Sequence, residues 1–84
     1  MLYYLIVCRS LTYAQRTIAT LERAGISAYL LRSPKEISST GCSHSVKIAQ
    51  RNLKNALTAL NRARLSPTQV YATEGDGSYR EVAL

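Results

Sequence analysis

Cysteine and histidine are scarce in this sequence, which has two cysteines and one histidine in 84 residues. The cysteines do not form a C-x-x-C pair, and together with the histidine they lack the fourth ligand of a structural zinc site. Small secreted domains that depend on disulfides are far richer in cysteine. The composition therefore argues against both a disulfide scaffold and a metal site.

Long hydrophobic runs are also absent. The longest candidate, residues 2–8, is far too short to cross a bilayer, which takes about 20 apolar residues. It is not preceded by a basic region, and no small-residue cleavage site follows it, as a secretory signal would require. We therefore expect a cytoplasmic protein with reduced thiols and no membrane partner.

Acidic residues are few: five Asp and Glu stand against eleven Lys and Arg, so that the net charge is +6. Such a charge favours binding to nucleic acid, to anionic substrates or to an acidic surface of a partner protein. The basic residues are scattered, however, and do not form the run typical of a nucleic-acid-binding arm. A well-solvated surface is an equally good interpretation.

Apolar residues in the rest of the chain follow the periods of strands and helices. Gly25, Pro34 and the Ser66-Pro67 pair punctuate the pattern as stop and turn signals. The predicted elements are strands at 2–8, 26–31, 45–49 and 68–73, with helices at 11–24 and 50–64. Residues 75–84 contain the glycines of a turn, followed by a tail that pairs weakly or frays.

The predicted order, β-α-β-β-α-β, is the split βαβ or ferredoxin-like arrangement of the α+β class. It consists of a four-stranded antiparallel sheet with two helices on one face. The length allows a single domain over 1–84, with a folded core over 1–74. The expected strand order in space is four, one, three, two.

Residues 32–47 differ from the rest of the chain because they contain five serines, one threonine, one glycine and the only histidine around a single cysteine, Cys42. The segment has little to bury, so it is either a passive hairpin loop or a functional tip. The topology places it at the sheet edge that also holds Arg9 and the first turn of helix one. Cationic and unpaired amide groups at that edge would stabilise a thiolate, which is the reactive form of cysteine.

Other residues of this segment could assist the Cys42 thiol. Gly41 gives the backbone freedom to approach a partner, and the hydroxyls of Ser39, Thr40 and Ser43 could donate hydrogen bonds to an anionic sulfur. His44 could accept a proton, although a solvated loop histidine is an alternative interpretation.

Cys8 is predicted at the same edge of the sheet, where it could serve as a resolving thiol. The alternative is that it is a small hydrophobic residue of the core, as the last residue of a buried strand often is. The residues alone leave both interpretations open, as they do a passive role for Cys42.

Three stretches of the chain, Y-Y-L-I-V-C-R-S, P-K-E-I-S-S-T-G-C-S-H-S-V-K-I and V-Y-A-T-E-G-D-G, resemble the putative selenium/sulfur carrier protein-like family of small bacterial domains. The strongest element is the combination of Pro34, Ile37, Ser38, Ser39 and Cys42 in one loop. The commoner family form reads Ser-Cys-Gly, whereas Gly41 and Ser43 flank the cysteine in this chain. An aromatic residue is more usual at the position of Cys8, which favours the core interpretation of that cysteine.

The resemblance implies that Cys42 accepts sulfur or selenium from a donor such as a cysteine desulfurase and passes it to an acceptor enzyme. Neither a cofactor nor a metal is required. The chain would be a carrier protein rather than a stand-alone enzyme, and its basic surface would steer docking onto acidic partners.

Two alternatives involve no thiol chemistry. A basic four-stranded sheet with six tyrosines is similar to sheets that stack RNA bases, but the third strand has no aromatic residue for stacking, so nucleic acid is not the expected partner. The second alternative is a regulatory domain that forms a homodimer through the open face of its sheet. That face would carry either Tyr3, Leu5 and Val7 or Tyr4 and Ile6, which are costly to expose.

Overall fold

The computed structural model describes residues 2–34, 37, 44–65 and 69–82. The elements are β1 (Tyr3–Cys8), α1 (Leu11–Arg23), β2 (Tyr29–Arg32), β3 (His44–Ala49), a 3-10 turn (Gln50–Asn52), α2 (Leu53–Arg62), β4 (Gln69–Thr73) and β5 (Arg80–Glu81). No helix in these ranges is long and apolar enough to cross a membrane.

The strands form one antiparallel sheet in the order β2-β3-β1-β4-β5. β1 lies between β3 and β4, which confirms the strand order expected from the sequence. Side chains from both helices pack with one face of this sheet in a single hydrophobic cluster. The predicted α+β, ferredoxin-like fold is therefore confirmed.

The number of strands differs from the prediction, because the sheet has five rather than four. Asp76 begins a tight turn after β4 in which its Oδ1 accepts hydrogen bonds from the backbone N and the hydroxyl of Ser78. Gly75 and Gly77 adopt φ values of 84° and 90°, which side chains disfavour. The turn brings β5 back onto β4, and the Val82 N donates to the Val70 carbonyl at 2.8 Å. Of the two expectations for the tail, weak pairing and fraying, pairing is observed at Arg80–Glu81.

Both helices end in the same hydrogen-bonding pattern, the Schellman motif. After α1, Gly25 N donates to Glu22 O at 3.0 Å and Ile26 N donates to Leu21 O at 2.9 Å. Gly25 has the positive φ of 81° that the motif requires. The glycine that the sequence identifies as a stop signal therefore ends α1 by a defined geometry.

α2 ends in the same way without a glycine. Arg64 N donates to Asn61 O at 3.1 Å, and Leu65 N donates to Leu60 O at 2.9 Å. Arg64 takes the left-handed position with a φ of 58°, and it is the one non-glycine residue with positive φ among the described residues. A side chain in this conformation costs about 1–2 kcal/mol.

Each face of the sheet has its own hydrophobic cluster. The cluster on the helix side contains Ile6, Cys8, Ala14, Leu21, Ile26, Ala28, Val46, Ile48, Ala56, Leu60 and Val70. On the helix-free side, Leu5, Val7 and Ile37 form a smaller cluster against which Leu31, Tyr71 and Tyr79 pack. β1 contributes alternate residues to both clusters, as the two-residue period of a strand dictates.

Candidate functional site

The segment between β2 and β3 is closed at its base by a pair of serines. Ser33 directly follows β2, Ser45 is the second residue of β3, and their Oγ atoms lie 2.6 Å apart. Both side chains are buried, with 8% and 0% of their surface exposed. Each buried hydroxyl has a hydrogen-bond partner in the other, so the pair avoids the cost of an unsatisfied polar group. The two ends of the segment 34–44 are thereby held together.

Ile37 lies between these ends and anchors the segment to the sheet. Its backbone N donates to the carbonyl oxygen of Pro34 at 3.1 Å. Its side chain is only 8% exposed and packs in the cluster of Leu5 and Val7. The chain therefore turns back over the helix-free face of the sheet after β2.

This packing covers the face that the sequence left open. Leu5 and Val7 are 3% and 5% exposed within a single chain. Ile37 and Tyr79 contribute to their cover. A homodimer through this face stays a prediction, but the apolar residues of β1 do not require a second copy to be buried.

His44 is the first residue of β3 and pairs with Cys8 of β1 on one side and Arg32 of β2 on the other. It is half-buried in the sheet rather than the solvated loop histidine that the sequence suggested as an alternative. Its Nδ1 atom is buried and has no hydrogen-bond partner among the described residues. A buried ring nitrogen normally has a hydrogen-bond partner. A nitrogen without one marks a site where a further polar group or a function is expected.

Arg9 and the start of α1 lie at the same edge of the sheet as His44, because Cys8 is the partner of His44 in the ladder. The Ser10 Oγ caps the helix by accepting a hydrogen bond from Tyr13 N at 3.1 Å. The guanidinium carbon of Arg9 lies 5.0 Å from the centre of the Tyr13 ring, a cation–π contact. The edge predicted to surround Cys42 therefore contains an exposed cation and a capped helix N-terminus.

Cys8 is a core residue. Only 1% of its surface is exposed, and its Sγ lies 3.7 Å from both the Ile6 carbonyl oxygen and the Thr17 Oγ1. Burial raises the pKa of the Cys8 thiol, and the hydrogen bond with Thr17 offsets this only in part. A buried, protonated thiol is a poor nucleophile. Of the two interpretations that the sequence left open, the structure favours the core residue over the resolving thiol.

Several predicted site residues lie outside the described residues, namely Ser38, Ser39, Thr40, Gly41, Cys42 and Ser43. Their roles stay predictions. Of the remaining site residues, the structure places Arg9 and His44 at one edge and Pro34 and Ile37 on the turn over the sheet.

The Ser33–Ser45 pair was not singled out from the sequence. The signal that could have found it is their location at the two ends of a predicted hairpin, because Ser45 is opposite Leu31 and diagonal neighbours two residues apart share a side of the sheet. Within the described ranges, no group of three or more His, Cys, Asp or Glu side chains could hold a metal ion.

Comparison with known proteins links most of the chain to one family. No curated protein and no solved structure matches the chain. The family model described as "Putative Se/S carrier protein-like" matches residues 3–72, which include β1 to β3, all but the last residue of β4, and the segment between Ser33 and Ser45. The chain therefore belongs to the Se/S carrier protein-like family.

Proposed function

We propose that this protein is a carrier that holds sulfur or selenium on Cys42 and delivers it to a partner enzyme. The observation that supports this most is the anchoring of the surrounding segment. Buried serines join its two ends, and Ile37 fastens its middle to the sheet. These contacts stabilise the fold, and they also give a carrier a fixed place from which to present its cargo.

His44 supplies a second argument. Cys42 precedes it by two residues, and two peptide units limit the distance between their Cα atoms to about 7 Å. The Nδ1 of His44 has no partner among the described residues. In the proposed mechanism His44 accepts the proton of the Cys42 thiol, which leaves the thiolate that sulfur transfer requires.

The transfer itself follows the chemistry of thiol–disulfide exchange. The Cys42 thiolate attacks the terminal sulfur of a persulfide on the donor, so that a new S–S bond forms on Cys42. The S–S bond of the donor breaks at the same time, and the donor leaves as a thiolate. A nucleophile of the acceptor then attacks the terminal sulfur on Cys42, which is released as a thiolate. No net oxidation or reduction occurs in the exchange.

The structure supports the nucleic-acid alternative less well. Tyr71 and Tyr79 are packed against Leu5 and Val7 in the cluster on the helix-free face. The Nζ of Lys47 lies over the Tyr3 ring, 4.6 Å from its centre, and so occupies one face of it. Among the tyrosines of the described sheet, Tyr29 alone is largely exposed, at 61%. A sheet that stacks bases presents two or three such rings.

Intact-mass measurement tests the proposed function. Reduced protein is incubated with a cysteine desulfurase and cysteine, and we expect the mass to increase by one sulfur atom. The increase should disappear in Cys42→Ser and persist in Cys8→Ala, whose thiol is buried. Selenocysteine in place of cysteine tests whether selenium is also accepted. Absence of any added sulfur, or equal labelling of the two thiols, would contradict the proposal.

A further inference from the structure

The two outer strands of the described sheet differ in how they protect their free edges. β5 is two residues long, and both residues are charged and exposed. β2 pairs with β3 on one side only, and its sequence is Tyr-Leu-Leu-Arg. Tyr29 and Leu30 are 61% and 43% exposed, two of the three exposed large hydrophobic residues in the described chain. A free edge with apolar side chains is a template for pairing with another strand.

A groove of about 610 Å³ lies at the beginning of β2. The rings of Tyr3 and Tyr29 and the cations of Lys47 and Arg51 contribute to its lining, which includes no Asp or Glu among the described residues. Lys47 and Tyr29 are direct partners in the β2–β3 ladder, so the groove adjoins the first residue of β2. A segment added to this edge would meet positive charge and an aromatic ring at the same end.

The positive charge of the chain distinguishes between two candidates for binding at β2, a second copy of the chain and an acidic segment. A second copy of this chain also carries a net charge of +6. Antiparallel pairing of two β2 strands would place Arg32 of each copy at the Tyr29 end of the other, next to the cationic groove. Like charges brought together in this way are destabilising. An extended segment that bears carboxylates suits the same surface.

We infer that β2 and the adjoining groove form a docking surface for an acidic, extended segment of a partner protein, which adds to the sheet as a sixth strand. This inference rests on the proposed function, because β2 leads directly into the segment that contains Cys42. Ser33 follows β2 without an intervening residue. A partner strand bound at β2 would therefore hold the carrier's segment in a fixed position relative to the partner's own active site.

A peptide titration tests the surface independently of sulfur transfer. The full-length, ¹⁵N-labelled, reduced chain is titrated with a synthetic peptide in which valine and glutamate alternate. We expect amide shifts at Tyr29–Arg32, and no such shifts with a peptide in which lysine replaces glutamate. Lys47→Glu combined with Arg51→Glu should weaken binding by about tenfold. The control, Arg16→Glu combined with Arg23→Glu, makes the same change in net charge on α1 and should leave binding within about twofold.

The possible results distinguish a failure of the docking surface from a failure of the proposed carrier function, called carriage below. Absence of shifts at Tyr29–Arg32, equal binding of the lysine peptide, or equal weakening by both double variants overturns the docking surface. Loading of Cys42 by the desulfurase should slow in the Lys47/Arg51 variant and not in the Arg16/Arg23 variant. Equal loading of both overturns the docking role while carriage stands. Peptide binding at β2 without loading of native Cys42 supports the surface while carriage fails.

Discussion

The hydroxyl oxygens of Ser33 and Ser45 lie 2.6 Å apart at the base of the segment that contains Cys42. Ser45→Ala removes one partner and leaves the buried Ser33 hydroxyl without its hydrogen bond. We expect the free energy of unfolding to fall by about 1–3 kcal/mol in urea titrations. The double variant, Ser33→Ala with Ser45→Ala, should lose less than the sum of the two single losses, since it leaves no orphaned group. Strictly additive losses would show that the two serines act independently.

Ile37→Ala should uncover the helix-free face of the sheet. Removing this side chain from its contacts with Leu5 and Val7 should cost about 2 kcal/mol or more in unfolding free energy. Leu11→Ala is the control, because Leu11 is 43% exposed and its truncation should cost no more than about 0.5 kcal/mol. Similar losses for the two variants would contradict the anchoring of the segment by Ile37.

Cys8 should make stability depend on alkaline pH. Its folded-state pKa is raised by burial above the ordinary 9.0, so above that pH the unfolded chain releases a proton that the folded chain retains. The contribution is fully present below pH 9.0 and is lost as the pH rises through the higher folded-state pKa. Urea unfolding at several pH values should show a steeper alkaline loss for the native chain than for Cys8→Ala. Parallel pH profiles would contradict the raised pKa.

Arg64→Gly should stabilise the protein. Arg64 occupies the left-handed position of the motif that ends α2, with a φ of 58°, and glycine removes the strain of a side chain there. Glycine also raises the conformational entropy of the unfolded chain, which offsets part of this gain. We therefore expect a net increase of about 0.5–1 kcal/mol in the free energy of unfolding, measured by thermal or urea unfolding. Gly25→Ala, at the equivalent position after α1, should have the opposite effect. A loss of stability in Arg64→Gly would indicate an unrecognised contact of the arginine.

His44→Asn should slow the loading of Cys42 by the desulfurase by about tenfold to a hundredfold, in line with the loss of a proton acceptor. A higher pH should restore most of the rate, because solvent then deprotonates the thiol. The measurement is the initial rate of mass increase at each pH, with urea unfolding to show that the variant is folded. An unchanged rate, or a deficit that does not respond to pH, would exclude this role of His44.

Sequence patterns predicted the element order and strand order, because the apolar periods of β1, α1 and α2 leave few alternatives. The first and last residues of these elements were predicted less well. Ile26 and Ala28 are buried but precede the paired residues of β2, and residues 50–52 form a 3-10 turn rather than part of α2. The apolar period shows that such residues are buried, but it does not show whether their backbone pairs with another strand.

At the site, features that follow from topology could be predicted, whereas individual side-chain contacts could not. The edge that unites Arg9, the start of α1 and His44 follows from topology, and the register of β1 and β3 confirms it. The hydrogen bond between Ser33 and Ser45 depends on which face each serine occupies, which a one-residue change in register reverses. For β5 the sequence left weak pairing and fraying both open, because two charged residues carry no apolar period.

The two hydrophobic clusters differ greatly in size, and this difference has a dynamic consequence. Among the described residues, the cluster under the helices has eleven buried members, whereas the one that includes Ile37 has three. Opening of the smaller cluster exposes little apolar surface, so it requires a fraction of the free energy of global unfolding. Native-state hydrogen exchange should therefore reveal two levels, with the Ile37 amide exchanging through a partial opening that leaves β1 and both helices protected. The helix-free side of the sheet can therefore open while the fold under the helices stays intact.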